Sequence, residues 1–170
     1  MSVSSEPGDG ARLLCLGNDL LADDAFGSLV AERARQILPT SVDVVFTTAA
    51  GLPLLDHVQG ISQLVVIDTI MTGRVEPGSL HIFRDKDVQA TPGNSPHYTG
   101  LFEAIALGRA LGLSVPSNVV IIAVEAADCT TIGGAMHPAV RAAIPDAASL
   151  VKRNAESWGG EPPAGNADRR

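Results

Sequence analysis

Two adjacent carboxylates, Asp23 and Asp24, lie in the segment GNDLLADDAFG, between a short apolar run and a stretch of helical periodicity. A third carboxylate, Asp68, ends the apolar run LVVID, and an imidazole, His97, lies in the loop-like segment NSPHYTG. Two carboxylates and one imidazole would form an oxygen, oxygen and nitrogen ligand set that suits a borderline divalent cation. The residue types are therefore compatible with a metal site formed by a carboxylate of the Asp23-Asp24 pair, Asp68 and His97, provided that the fold brings these residues together.

Each of these residues also has an ordinary structural interpretation. Asp24 is suited to cap a helix, because a carboxylate there accepts backbone N–H groups and complements the helix dipole. Asp23 could take the cap instead and leave Asp24 pointing elsewhere, which would account for the adjacent pair. Asp68 could close its strand through a side-chain turn, and a lone loop histidine such as His97 is commonly a surface residue. The residues alone leave these alternatives open.

The elements that must position these residues follow from the hydrophobic pattern. Short apolar, strand-like runs alternate with segments of helical periodicity. Such alternation is typical of a mostly parallel sheet covered by helices on both faces. We predict an α/β fold: a single-domain three-layer sandwich with a mostly parallel five-stranded sheet and one antiparallel edge strand. The predicted strands are 12–16, 42–47, 64–67, 79–83 and 119–124; the predicted helices are 26–37, 52–58, 100–111 and 138–158, the last interrupted at Pro145.

The predicted boundaries place one domain between two tails. Residues 1–10 and 159–170 are polar, rich in Gly and Pro and without periodicity, so we expect disordered tails around a domain at 11–158. Within the domain, strands 12–16 and 64–67 both run into acidic segments. Because ligands of parallel sheets bind beyond the carboxyl ends of the strands, that edge is the expected place for the site.

Composition excludes several classes of function. The formal net charge is −7 over 170 residues, and no basic cluster is visible, so nucleic acid is not an expected partner. The longest apolar runs, such as 118–124, are of strand length and too short to span a bilayer, and the polar N-terminus is not a secretory signal. The two cysteines, Cys15 in a predicted strand and Cys129 in a loop, form no disulfide framework, which favours a cytoplasmic location.

The remaining histidines favour structural roles. His81 alternates with apolar residues in the predicted edge strand and is expected to face solvent, while His57 lies at a helix end. His137 precedes Pro138 and is expected to begin a helix. The chain has no GxSxG elbow, no phosphate-binding loop and no HExxH helix, so a serine or cysteine hydrolase is disfavoured.

Five ordered segments, which together span about residues 12–151, resemble the hydrogenase maturation proteases. They are LGNDLLADDAFG, GLPLLDHVQGISQLVVIDTI, EPGSLHIF, SPHYTGLFEAIALGRALG and VVIIAVEAADCTTIGGAMHPAV. The resemblance implies an aspartyl-type endopeptidase that removes the C-terminal extension of a nickel-iron hydrogenase large-subunit precursor after nickel insertion. Ala25 replaces a Gly common in the family, and Met136-His137-Pro138 replaces Leu-Ser-Pro; these departures concern the subgroup and the partner.

The resemblance also assigns the metal-binding residues, and further roles for Asp23 and Asn18 are our own hypothesis. Asp24, Asp68 and His97 match the family's metal-binding positions, with nickel brought by the precursor rather than permanently bound. Asp23 is a candidate base or ligand-orienting group, and Asn18 either holds the turn or binds substrate. We expect a monomer whose partner is the large-subunit precursor. Two other functions stay open: a non-enzymatic nickel and precursor-binding chaperone, and a small-molecule metallohydrolase.

Overall fold

Five strands form one sheet in the part of the chain that the structure, a computed structural model, describes: residues 10–84 and 96–159. The side chains of residues 96–99 and 159 lie outside that description. The strands are β1 (Gly10–Leu16), β2 (Val42–Thr47), β3 (Ile61–Ile70), β4 (Leu80–Arg84) and β5 (Asn118–Glu125). The predicted tails, 1–10 and 159–170, lie outside the described residues except for Gly10 and the backbone of Gly159.

The sheet has the order β2-β1-β3-β5-β4. The pairs β1–β2, β1–β3 and β3–β5 are parallel, and β4 pairs with β5 antiparallel at one edge. This confirms the predicted mostly parallel sheet with an antiparallel edge strand. Since β2 and β3 lie on opposite sides of β1, the chain reverses its direction of winding between β1 and β3. Ligands of such sheets bind at this reversal, beyond the carboxyl ends of the two strands.

The helices cover both faces of the sheet. They are α1 (Phe26–Ile37), α2 (Leu55–Val58), α3 (Pro96–Ala110), α4 (Pro138–Ala142) and α5 (Ile144–Glu156), with short 3-10 turns at Asp23–Ala25, Leu52–Leu54 and Ser157–Gly159. The predicted final helix is two helices, as expected from Pro145, which lies in the first turn of α5. The helix predicted at 100–111 begins earlier, at Pro96, and ends at Ala110.

Two hydrophobic clusters form the core because successive side chains of a strand point to opposite faces. On β1, Leu13 and Cys15 pack with residues of α1, α4 and α5. Leu14 and Leu16 face the other way and pack with residues of α2 and α3. Burial raises the pKa of the Cys15 thiol well above its usual value, which fits the predicted core role. The helix, sheet and helix layers therefore form the predicted three-layer sandwich.

Two glycines allow the segment after β1 to fold back closely on the strand. A Cβ on Gly17, whose φ is +149°, would lie 2.3 Å from the Asp24 carbonyl oxygen. A Cβ on Gly27 would lie 2.2 Å from the Leu16 carbonyl oxygen. Both contacts are with backbone, so a side chain at either position would displace the turn or the helix. The spacing of these glycines thus places Asp23 and Asp24 against the carboxyl end of β1.

Candidate functional site

Asp24 and Asp68 converge on one residue, Thr69, at the carboxyl edge of the sheet. Thr69 Oγ1 donates to Asp24 Oδ1 at 2.7 Å, and the Thr69 backbone N–H donates to Asp68 Oδ1 at 2.8 Å. Asp24 is 7% exposed and Asp68 is fully buried. The structure thus brings two of the three predicted ligands together from positions far apart in the chain.

His97, the third predicted ligand, has a side chain outside the described residues, so its role stays a prediction. Its backbone belongs to the first turn of α3. That part of α3 lies against the loop after β2, because a Cβ on Gly100 would be 2.5 Å from Gly51 Cα. Among side chains that the structure describes, no group of three or more His, Cys, Asp or Glu is arranged to hold a metal ion. Asp24 and Asp68 alone would therefore need a further ligand.

Asp23 does not cap the helix, which excludes one of the alternatives that the sequence left open. The 3-10 turn that starts at Asp23 and the helix α1 both lack a side-chain cap. Asp23 Oδ2 instead accepts the N–H groups of Ala127 at 2.8 Å and Asp128 at 2.9 Å, and Oδ1 accepts that of His137 at 2.6 Å. With its carboxylate 1% exposed and held by three backbone donors, Asp23 ties the segment after β5 to the segment after β1. These contacts favour a structural role over that of a base.

Asn18 adopts the turn role among its two predicted interpretations. Its side-chain oxygen accepts the Leu20 N–H at 3.0 Å, and its backbone N–H donates to the Asp24 carbonyl at 3.2 Å. These contacts close the loop between β1 and the acidic pair. A contact of Asn18 with substrate stays a prediction.

Cys129 lies beside the acidic pair, which the sequence did not indicate. Its thiol donates to Thr69 Oγ1 at 3.5 Å. The pKa of the Cys129 thiol is raised to about 11: burial contributes most, the Thr69 contact lowers the pKa, and the charges of Asp24, Asp23 and Asp68 raise it. The thiol is therefore protonated at neutral pH and lies in the negative field of three carboxylates. A cation would be attracted to the same field.

Glu125 forms a second buried carboxylate site, at the end of β5. Its Oε1 accepts the N–H groups of Thr72 at 2.8 Å and Gly73 at 2.9 Å, and its Oε2 lies 3.1 Å from His81 Nε2. His81 was predicted to face solvent, and this is wrong: its side chain is 23% exposed and turned to Glu125. The alternation along β4 is weak evidence because an edge strand can bury residues on either face.

Two other histidines have the predicted structural positions. His137 is the N-cap of α4, and its Nδ1 accepts the Ala139 N–H at 3.2 Å. His57 lies in the last turn of α2, where its carbonyl accepts a hydrogen bond from Arg12 Nη1 at 2.7 Å. Neither residue is assigned to the candidate site.

The Glu125 contacts predict an acid-dependent loss of stability. Burial raises the pKa of Glu125, but the hydrogen bonds from Gly73, Thr72 and His81 lower it below the ordinary 4.5 overall. Since the folded pKa is the lower one, the stabilisation is complete above the unfolded pKa and is lost as the pH falls through the folded pKa.

We expect Glu125→Gln to be less stable than wild type at pH 7. The difference in free energy of unfolding between the two proteins should become smaller between pH 5 and pH 3. Urea unfolding across this pH range measures the free energy of unfolding. Glu103→Gln, at an exposed helix position, is the matched control. A difference in free energy of unfolding that does not change with pH would contradict the lowered pKa of Glu125.

No helix within residues 10–84 and 96–159 combines the length and apolar character needed to cross a membrane.

The chain is similar to proteins of hydrogenase maturation. A family model described as hydrogenase maturation protease matches residues 29–154. The hydrogenase expression/formation protein HupD of Rhodobacter capsulatus is 33% identical over 152 residues, covering 86% of this chain and 71% of that protein. The hydrogenase 2 maturation protease of Escherichia coli is 33% identical over 116 residues, covering 66% of this chain and 70% of that protein.

Solved structures show the same fold. The hydrogenase maturating endopeptidase HybD from Escherichia coli superposes with a TM-score of 0.76 at 30% identity, covering 88% of this chain and 94% of that one. The [NiFe] hydrogenase maturation protease HybD from Thermococcus kodakarensis gives a TM-score of 0.69 at 20% identity, which bears on the fold alone.

Proposed function

Because this chain belongs to the hydrogenase maturation protease family, we propose that it removes the C-terminal extension of a nickel-iron hydrogenase large-subunit precursor after nickel insertion. The observation that carries this proposal is the convergence of Asp24 and Asp68 on Thr69 at the sheet edge. A protease that inspects a metal in its substrate needs ligands that are held ready but not saturated by a metal of its own. Two buried carboxylates at the carboxyl edge of the sheet meet that need.

The chemistry of the two carboxylates suits a cation delivered by another protein. Asp24, Asp68 and His97 would supply three ligands to the nickel of the precursor and leave positions for the precursor's own groups. A nickel ion held by these residues would supply Lewis-acid chemistry, by polarising the scissile carbonyl, orienting the substrate tail or lowering the pKa of a water molecule. The role of this chain is to orient its carboxylates and to limit access of bulk water, since Asp24 and Asp68 are nearly or fully buried.

Electrostatics supports the same assignment. The negative field of Asp23, Asp24 and Asp68, which raises the pKa of Cys129, favours a positive ion at this place. Burying carboxylates close together is unfavourable unless a cation or hydrogen-bond donors compensate. Asp23 is compensated by three backbone N–H groups, whereas a single hydroxyl compensates Asp24 among the hydrogen bonds described above. A bound cation would therefore stabilise the Asp24 carboxylate more than that of Asp23.

The proposal predicts nickel-dependent cleavage of the precursor. Purified protein mixed with nickel-loaded precursor should reduce the mass of the large subunit by the mass of its C-terminal extension, and nickel-free precursor should stay intact. Intact-mass spectrometry measures both. Cleavage of the nickel-free precursor as well as the nickel-loaded one would show that the reaction does not depend on nickel, and would contradict that part of the proposal. A stable complex without mass loss would instead indicate a precursor-binding chaperone, and turnover of small esters or amides without precursor would indicate a small-molecule hydrolase.

A further inference from the structure

We propose that Thr69 is a positioning residue that sets the geometry of both carboxylates, Asp24 and Asp68, for the incoming cation. The inference rests on the proposed function, because the cation in question is the nickel of the precursor. Thr69 itself is not placed as a ligand. It acts through the two carboxylates that it binds.

The contacts of Thr69 fit this role. Its hydroxyl donates to Asp24 Oδ1 at 2.7 Å, and its backbone N–H donates to Asp68 Oδ1 at 2.8 Å. One residue, 6% exposed, therefore fixes one oxygen of each carboxylate. The two donors, a hydroxyl and a backbone N–H, belong to one residue, so a shift of Thr69 would move both potential ligands together. Groups that hydrogen-bond to metal ligands fix the orientation of those ligands and tune their affinity for the metal.

The Cys129 thiol orients the hydroxyl of Thr69. The Cys129 thiol donates to Thr69 Oγ1 at 3.5 Å. A hydroxyl has only one proton to donate, and with an oxygen lone pair already accepting from the thiol, that proton is directed to Asp24. The chain of contacts runs from thiol to hydroxyl to carboxylate, and it explains the place of Cys129 without assigning it a reaction of its own.

The backbone of Thr69 is fixed by its place in the sheet, and this fixes the position of its hydroxyl. Thr69 pairs with Val124 in the parallel ladder between β3 and β5, and its neighbour Asp68 pairs with Ala123. A β-branched side chain on a strand has restricted χ1 freedom. Sites built on strands are held more accurately than sites on loops. Asp24 lies outside the sheet, in the 3-10 turn before α1, so the hydroxyl of Thr69 fixes its carboxylate relative to β3.

The test compares Thr69→Val, which keeps the shape but removes the hydroxyl, with Thr69→Ser, which restores it. Titration calorimetry of the full chain with Ni²⁺ alone reports the affinity of the site without any cleavage. For Thr69→Val we expect a loss of roughly 10–100-fold in Ni²⁺ affinity and in kcat/KM on loaded precursor, as for other groups that orient metal ligands. Thr69→Ser should recover most of both. Thr40→Val, at an exposed threonine before β2, is the matched control and should behave as wild type.

The outcomes separate this inference from the proposed function. Thr69→Val with wild-type Ni²⁺ affinity and cleavage would overturn the inference, and so would a Thr69→Ser variant as impaired as Thr69→Val. If Asp24→Asn also behaves as wild type, the proposed site itself fails. Should Thr69→Val not fold, Cys129→Ala removes only the thiol donor; we then expect roughly a threefold loss of Ni²⁺ affinity, the size of one weak hydrogen bond, and an unchanged affinity would overturn the inference.

Discussion

Asp24→Asn and Asp68→Asn should each fold and yet fail to process nickel-loaded precursor. Both carboxylates are held by Thr69 in a nearly or fully buried site, and an amide in place of a carboxylate removes the negative charge that a cation needs. We expect kcat/KM to fall by at least about 100-fold, beyond the 10–100-fold cost typical of losing a group that only orients a ligand. Mass loss of the large subunit over time measures the rate, and circular dichroism checks the fold.

The matched control for this prediction is Asp19→Asn, the same substitution at an exposed position of the same loop. It should process precursor at the wild-type rate, since the charge it removes is screened by solvent. His97→Ala tests the third predicted ligand and should match the two Asp variants if that assignment is correct. Full processing by all three variants would end the ligand assignment.

Asp23→Ala should destabilise the protein more than any other single change in the acidic pair. The substitution leaves the N–H groups of Ala127, Asp128 and His137 without their acceptor. An unpaired buried donor costs about 1–3 kcal/mol, and because these three hydrogen bonds are only partly buried we take the low end of that range, so the free energy of unfolding should fall by about 3 kcal/mol. For a chain of this size that corresponds to a melting temperature lower by about 6–12 °C. Calorimetry on the purified variant measures the shift.

Asp23→Asn separates the structural role of Asp23 from the predicted role as a base. An amide keeps one acceptor oxygen, so part of the stability should remain, and below its melting temperature the variant should cleave precursor within a few-fold of wild type. A folded Asp23→Asn variant without activity would instead support the base. Asp19→Ala, at the exposed position in the same loop, is the stability control and should melt with the wild type.

The fold could be predicted from the sequence because its signals are local. Runs of aliphatic and β-branched residues predicted every strand, and β2 has the predicted bounds, Val42–Thr47. The repeat of apolar residues predicted α1, Phe26–Ile37, and the proline at position 145 predicted the division of the last helix. Strand and helix alternation then indicated a parallel sheet, since few other arrangements bury both elements.

Part of the candidate site could also be predicted. The position of Asp24 and Asp68 after strands placed them at the carboxyl edge, and the structure brings both to Thr69. No sequence pattern indicated a role for Thr69, because a threonine after an aspartate in a strand is ordinary. Its role depends on a contact with Asp24 that no local pattern records.

The wrong predictions concern polar residues whose partners are distant in the chain. One alternative had Asp23 capping its own helix, but its carboxylate oxygens accept N–H groups more than a hundred residues later. His81 was expected in solvent, but Glu125, 44 residues away, turns it inward. In both cases the local preference is small, and the desolvation cost of a buried charge decides the contact.

The sequence by itself determined the elements, their order and the acidic character of the sheet edge, because hydrophobic periodicity and turn residues act over a few positions. Only the tertiary structure decided which carboxylate became a structural tie and which remained at the candidate cation site. That choice depends on which backbone N–H groups and hydroxyls the folded chain brings within hydrogen-bonding distance. A buried carboxylate takes the donors that surround it, and those donors come from β3 and from the segment after β5.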